Sequence, residues 1–246
     1  MTPSPRNASV AVVGAGDFIG AAIARRFAAE GYLVHCGRRN GDKLAPLVAE
    51  IEAAGGRCVA HTLDARDEAA VAAFMAAADA AAPLEVVIFN IGANVNFPIL
   101  ETTERVFRKV WELACYAGFL TGREAARLLL GHGRGSIFFT GATASLRGGK
   151  GYAAFAAAKF GLRALAQSMA RELGPQNIHV AHLVIDAGVD TEWVRARIAA
   201  AGRQDRLGPD RLTEPASTAE TYLQLHRQSR DAWTHELDLR PAEEAW

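Results

Sequence analysis

Two hydrophobic patterns alternate along this chain. Short, nearly unbroken apolar runs are separated by longer Ala-rich segments whose apolar residues recur at helical spacing. The runs "SVAVVG" from Ser9, "YLVHCG" from Tyr32, "RCVAHTL" from Arg57, "LEVVIFN" from Leu84, "GSIFFTG" from Gly135 and "IHVAHLVI" from Ile178 predict strands. Their near-continuous apolarity suits strands covered on both faces, as parallel strands are. "WTHELDLR" from Trp233 predicts a seventh. "DFIGAAIARRFAAEG" predicts a helix stopped at Gly31, glycine being a common residue just past a helix end. Further helices are predicted from "DKLAPLVAEIEAAGG", from "RDEAAVAAFMAAADAAA", and over Thr103–Leu130 and Tyr152–Leu173.

Alternation of this kind specifies an α/β fold, a doubly wound, mostly parallel seven-stranded sheet with helices on both faces. No repeat or low-complexity linker divides the chain, so one domain over residues 1–246 is expected. The segment at about 190–232 is poorer in apolar runs and richer in Arg, Gln and Asp. It predicts two helices and a mobile loop, a lobe suited to shaping a substrate pocket.

Composition narrows the function classes. Half of the residues are hydrophobic, enough for a large core, and the 27 Lys and Arg balance the 27 Asp and Glu. Formal neutrality offers no electrostatic footprint for nucleic acid or an anionic membrane. No apolar run is long enough to span a bilayer, and the first residues lack a signal-peptide pattern, so a cytoplasmic protein is expected. Cys36, Cys58 and Cys115 are few, odd in number and widely spaced. They predict reduced thiols, without a disulfide or a metal site.

Candidate chemistry begins at "VVGAGDFIG", between the first strand and first helix. Gly14, Gly16 and Gly20 at this spacing permit a tight turn and close approach of a pyrophosphate to the helix N-terminus. Asp17 would repel phosphate there, and the ligand-free alternative makes it the helix N-cap. After the second strand the sequence reads "HCGRRN". An acid at this point holds the ribose hydroxyls of NAD, whereas arginine accommodates a 2′-phosphate. Arg38 and Arg39 therefore favour NADP(H) over NAD(H), against the alternative of two solvated surface arginines.

With these motifs, "LDARD" after the third strand, "FNIGA" after the fourth and Lys159 on the helix after the fifth, the chain resembles the short-chain dehydrogenase/reductase family over essentially its whole length. The resemblance implies a Rossmann fold, with Asp64 contacting adenine and Asn90 and Gly92 supporting the sheet beside the cofactor. The glycine turn departs from the usual pattern, with Phe18 at the middle-glycine position before Ile19 and Gly20 as in the extended branch of the family, while Val189 and Thr191 keep the "V-x-T" that follows the sixth strand. It also implies a homodimer or homotetramer through the two long helices.

The catalytic positions depart from the family. The usual Tyr-x-x-x-Lys pair becomes Phe155 and Lys159, the usual Ser falls on Ala142, and the usual Asn falls on Ala114. The resemblance implies that Lys159 anchors the nicotinamide ribose, but Phe155 offers no proton to a carbonyl oxygen. Candidate replacements are Tyr152, Thr143 and Asp186. Tyr152 shares a helix face with Phe155 but lies roughly 10 Å along the axis from Lys159; the alternative is an aromatic packing on the sheet. Thr143 presents its hydroxyl only if the strand has ended before it. Asp186 in an apolar cleft would have a raised pKa and act as an acid, or would cap a loop or pair with an arginine. Two functions stay open: an NADP(H)-dependent oxidoreductase acting on a carbonyl or alcohol substrate with altered proton delivery, and a catalytically silent NADP(H)-binding protein acting as a sensor or oligomer partner.

Overall fold

The computed structural model describes residues 4–208 and 210–244. Seven strands, β1 Ser9–Val13, β2 Leu33–Arg38, β3 Arg57–Thr62, β4 Leu84–Phe89, β5 Gly135–Thr140, β6 Ile178–Ile185 and β7 Glu236–Leu239, form one sheet in the order β3-β2-β1-β4-β5-β6-β7. Every pairing is parallel. All seven strands expected from the apolar runs are present.

The helices are α1 Ile19–Ala28, α2 Ala45–Ala53, α3 Glu68–Ala81, α4 Glu104–Trp111, α5 Ala117–His132, α6 Ala153–Leu173, α7 Glu192–Ala200 and α8 Pro215–His226. Alternation along β1 sends Val10 and Val12 into one core with Phe27 of α1, Leu47 of α2 and Tyr222 of α8. Ala11 and Val13 enter the other, with Phe74 of α3, Leu120 of α5 and Leu162 of α6. This period-two division explains why the strands read as continuously apolar.

Two expectations change in detail. The single helix over Thr103–Leu130 is interrupted by a five-residue π-helical turn, Glu112–Tyr116, between α4 and α5. A π turn inserts one residue into the helical repeat without a Pro or Gly to announce it. The lobe expected at about 190–232 is smaller, because α8 belongs to the main core through Ala219, Tyr222 and Leu223. Only the excursion carrying α7 departs from it, closed at its base where Val189 bridges Thr213.

Among the described residues no helix is long and apolar enough to cross a membrane, and no group of three His, Cys, Asp or Glu is arranged for a metal.

Candidate dinucleotide and substrate cleft

Strand order reverses between β1 and β4, and in doubly wound sheets such a switch point opens a crevice beyond the carboxyl ends of the strands. Here the crevice is a cleft of about 850 Å³, running from the glycine turn to Tyr152 and Thr191. Gly14, Gly16, Phe18, Ile19, Gly20, Asn90, Gly92, Thr143, Tyr152, Lys159, Val189 and Thr191 all line it. Arg38, Arg39, Asp64 and Asp186 are not on its wall.

The three glycines serve different ends. Gly14 has φ +90°, and a Cβ there would stand 2.8 Å from the Asn90 carbonyl oxygen. A Cβ on Gly20 would stand 2.7 Å from the Gly14 oxygen, so this glycine lets α1 pack against the turn. Gly16 has nothing within 4 Å of such a Cβ, and neither has Gly92. These two leave an open cradle beside the first turn of α1, whose end carries unpaired N–H groups. That cradle fits the pyrophosphate of a dinucleotide.

Asp17 is not the cap of α1. Phe18 occupies that position without a side-chain bond, and the Asp17 carboxylate is turned to Arg38 at 2.6 Å. The pair neutralises the charge that would repel phosphate and holds a guanidinium beside the glycine turn. Asp64 grips Arg66 in a two-pronged pair. The hydrogen bonds from Arg66, with Arg39 contributing at longer range, keep its carboxyl below the usual range.

At the other end, Lys159 is buried, and its Nζ donates to the carbonyl oxygens of Thr140 (2.7 Å) and Ile91 (3.1 Å). Burial lowers its pKa to about 8, opposed by the nearby Cys115 thiol. The Phe155 ring lies against the same ammonium, centroid to Nζ 5.9 Å, and lines the cleft. Ala142 lines it too, while Ala114 sits fully buried within the π turn.

The replacement donors fare differently. Asp186 is a correction: burial pushes its pKa up, but the Thr143 hydroxyl, Arg147 and Arg240 outweigh that, leaving it below the usual carboxylate value. Arg147 binds both oxygens at 3.0 and 3.1 Å, and Arg240 adds a further bond. Asp186 is therefore a clamped carboxylate, the arginine-partner alternative, and holds no proton to give. Thr143 does lie beyond the end of β5, but its hydroxyl is spent on Asp186. Tyr152, at the N-cap of α6, keeps its hydroxyl in the cleft mouth, where Arg197 donates to it at 3.2 Å.

Sequence reasoning missed a hydrogen-bond chain behind the glycine turn. Thr140 donates to the Asn90 side-chain oxygen at 3.1 Å, so Tyr222 must donate to Thr140, 2.7 Å away. Asn90 in turn donates to the Gly14 oxygen at 3.2 Å. No local signal marks Tyr222, which comes from α8, 82 residues beyond Thr140. Arg147 and Arg197 were equally invisible, since only the tertiary fold brings Arg147 to the cleft and Arg197 to the Tyr152 hydroxyl.

A parallel sheet with an open glycine cradle at its switch point and a buried lysine at the far end of the cleft defines a dinucleotide-binding protein of the Rossmann class. The sequence profile described as short chain dehydrogenase matches residues 8–201. The chain belongs to the short-chain dehydrogenase/reductase family, whose members are nicotinamide-dependent oxidoreductases. A crystal structure of a short-chain dehydrogenase from Rhodopseudomonas palustris is 66% identical, covering 96% of this chain and 100% of that one, with TM-score 0.84. The 3-oxoacyl-(acyl-carrier-protein) reductase MabA of Mycobacterium bovis is 31% identical over 188 residues, 76% of this chain and 72% of its own. A metagenomic short-chain oxidoreductase in complex with NADP is 25% identical, covering 98% of this chain and 100% of that one, with TM-score 0.80.

Proposed function

We propose that this chain is an NADP(H)-dependent oxidoreductase acting on a carbonyl or alcohol, in which Lys159 itself holds the proton that a tyrosine would otherwise carry. The bound cofactor would supply hydride chemistry, with Gly14, Gly16 and Gly20 at its pyrophosphate and Lys159 at its nicotinamide end. Arg38 and Arg39 at the end of β2 support the phosphorylated form. The single observation that carries the proposal is the placement of Lys159. Two of its three N–H bonds are used by main-chain carbonyls, which leaves one for the cleft. An ammonium with a pKa of about 8 is close to the optimum for a general acid at neutral pH.

The test is fluorescence titration with NADPH and NADH, then NADPH oxidation against a carbonyl panel. NADPH is expected to bind about ten-fold tighter than NADH, a preference removed by Arg38→Ser. Turnover is expected to fall as pH rises through about 8, where the ammonium is lost. Tight binding with no turnover at any pH would sink this reading in favour of the second, a catalytically silent NADP(H)-binding sensor or oligomer partner. That second reading is favoured by the all-apolar trio of Phe155, Ala142 and Ala114.

The proposal includes a homodimer or homotetramer. Phe107, Trp111, Phe119 and Phe160 are all about 40% exposed on the two long helical segments. Trp111, Tyr116 and Phe119 form a stacked ladder with centroids 6.0 and 6.4 Å apart. Exposed aromatic surface of this extent marks an association site. Light scattering is expected to give at least a dimer for the parent and a monomer for Phe160→Glu; a monomeric parent would refute it.

A further inference from the structure

Beside the cleft, Tyr152 on its wall and the exposed Arg197 next to it form a pair with donors to spare. Tyr152 accepts a hydrogen bond from Nη2 of Arg197, which lies 45 residues further along the chain. Having accepted, the phenol keeps its own proton, and no acceptor for it is found among the described residues. Arg197 is held in place a second time, its guanidinium lying 5.4 Å from the centroid of the Trp193 ring. Tyr152 and Trp193 both line the cleft.

The neighbouring arginines have carboxylate partners. Arg195 pairs with Asp190, Arg206 with Glu244, and Arg147 and Arg240 share Asp186. Among the described residues Arg197 has none. A guanidinium fixed by an aromatic face and a phenol, beside a hydroxyl with an uncommitted proton, presents converging N–H and O–H donors. Such a pair suits a carboxylate, which accepts charge-assisted hydrogen bonds on both oxygens.

Tyr152 is the N-cap of α6 and Phe155 lies in its first turn, and both line the cleft. A carboxylate on the pair leaves the rest of the molecule to the part of the cleft that Phe155 lines. Small apolar walls at Ala142, Ala144 and Val189 suit a short aliphatic remainder.

We infer that Tyr152 and Arg197 form a carboxylate seat, and that the molecule entering the cleft is a short 2-oxo or 3-oxo acid anion. The seat concerns binding and serves either function above; its orientation rests on Phe155 facing the nicotinamide end. The probes are 2-oxobutanoate and 3-oxobutanoate with their methyl esters, titrated by calorimetry into nucleotide-free and NADPH-loaded protein. At least one acid is expected to bind, with its ester weaker by about ten-fold or more. Arg197→Gln is expected to weaken acid binding by about ten-fold or more and Tyr152→Phe by about three- to ten-fold. Arg195→Gln, on the same helix, is the control that changes neither, and thermal midpoints report the fold of each variant. Equal binding of acid and ester, acid binding indifferent to Arg197→Gln, or no binding of either acid would overturn the inference. Acid binding that obeys these expectations in a protein that does not bind NADPH would leave the seat standing and defeat the nucleotide reading instead.

Discussion

Phe155→Tyr combined with Ala142→Ser is expected to raise NADPH-dependent carbonyl reduction by on the order of 10² over the parent, the lower end of what a positioned general acid contributes, because Lys159 already supplies a proton there. The Phe155 ring already lies on the cleft wall beside the Lys159 ammonium, so a hydroxyl on it falls between the lysine and the entering substrate. The lysine's charge would then favour phenolate and bring the tyrosine pKa down. Ala142 extends its backbone beyond β5 and lines the cleft, its N–H held by the Ser145 hydroxyl at 3.1 Å. A serine hydroxyl there would reach a substrate oxygen. Ala114→Asn is added last, because a larger polar side chain at this fully buried position must displace its neighbours, which commonly costs about 1–3 kcal/mol. Steady-state rates of the double and triple variants check the result. A double variant that binds NADPH as tightly as the parent but reduces nothing faster would show that more than proton chemistry has diverged.

The second large effect separates two glycines of one motif. Gly14→Ala is expected to destabilise the fold by about 2–4 kcal/mol, because it adds a positive-φ penalty to a steric clash. The new methyl would lie 2.7 Å from Cγ1 of Ile91 and 2.8 Å from the Asn90 oxygen. Gly16→Ala meets no atom within 4 Å, so stability should stay within about 0.5 kcal/mol of the parent. Its methyl enters the cradle, however, and NADPH affinity should fall by about ten-fold or more, the cost of displacing a charge-assisted contact. Denaturant melts and nucleotide titrations read the two effects independently. Equal losses of stability in both variants would refute this division of roles.

The contrast also shows how much of the fold the sequence carried. Every strand was legible because a sheet covered on both faces demands unbroken apolar runs, and "SVAVVG" or "IHVAHLVI" meets that demand locally. The glycine turn was legible for the same reason, since its constraint lies within one short stretch. The π turn at Glu112–Tyr116 was not, because it changes a helix's hydrogen-bond register without changing its composition. Asp186 was misjudged because its pKa is set by Arg147 and Arg240, one on each side of it in sequence and neither adjacent. That Phe155 stands four residues before Lys159, where the family's pattern has a tyrosine, followed from the resemblance. What stands around it, a buried lysine with one N–H to spare and an arginine seat at the mouth, needed the third dimension.

The last strand has a consequence for the order in which the molecule is made. β7 completes the edge of β6, with Glu236 binding Arg163 of α6 and His182 of β6. Immediately after it, Arg240 supplies the second arginine to Asp186, whose backbone N–H bonds the Leu239 oxygen at 2.9 Å. Synthesis runs from the N-terminus, so the glycine cradle and Lys159 leave the ribosome long before residues 236–240 do. Until then β6 has an unpaired edge, and Asp186 lacks one of its two cations. Such an edge is a site of mispairing in a nascent chain. The glycine turn and Lys159 are thus made early, but the Tyr222 that backs the turn comes late, and the side of the cleft beside the clamp closes only when β7 docks.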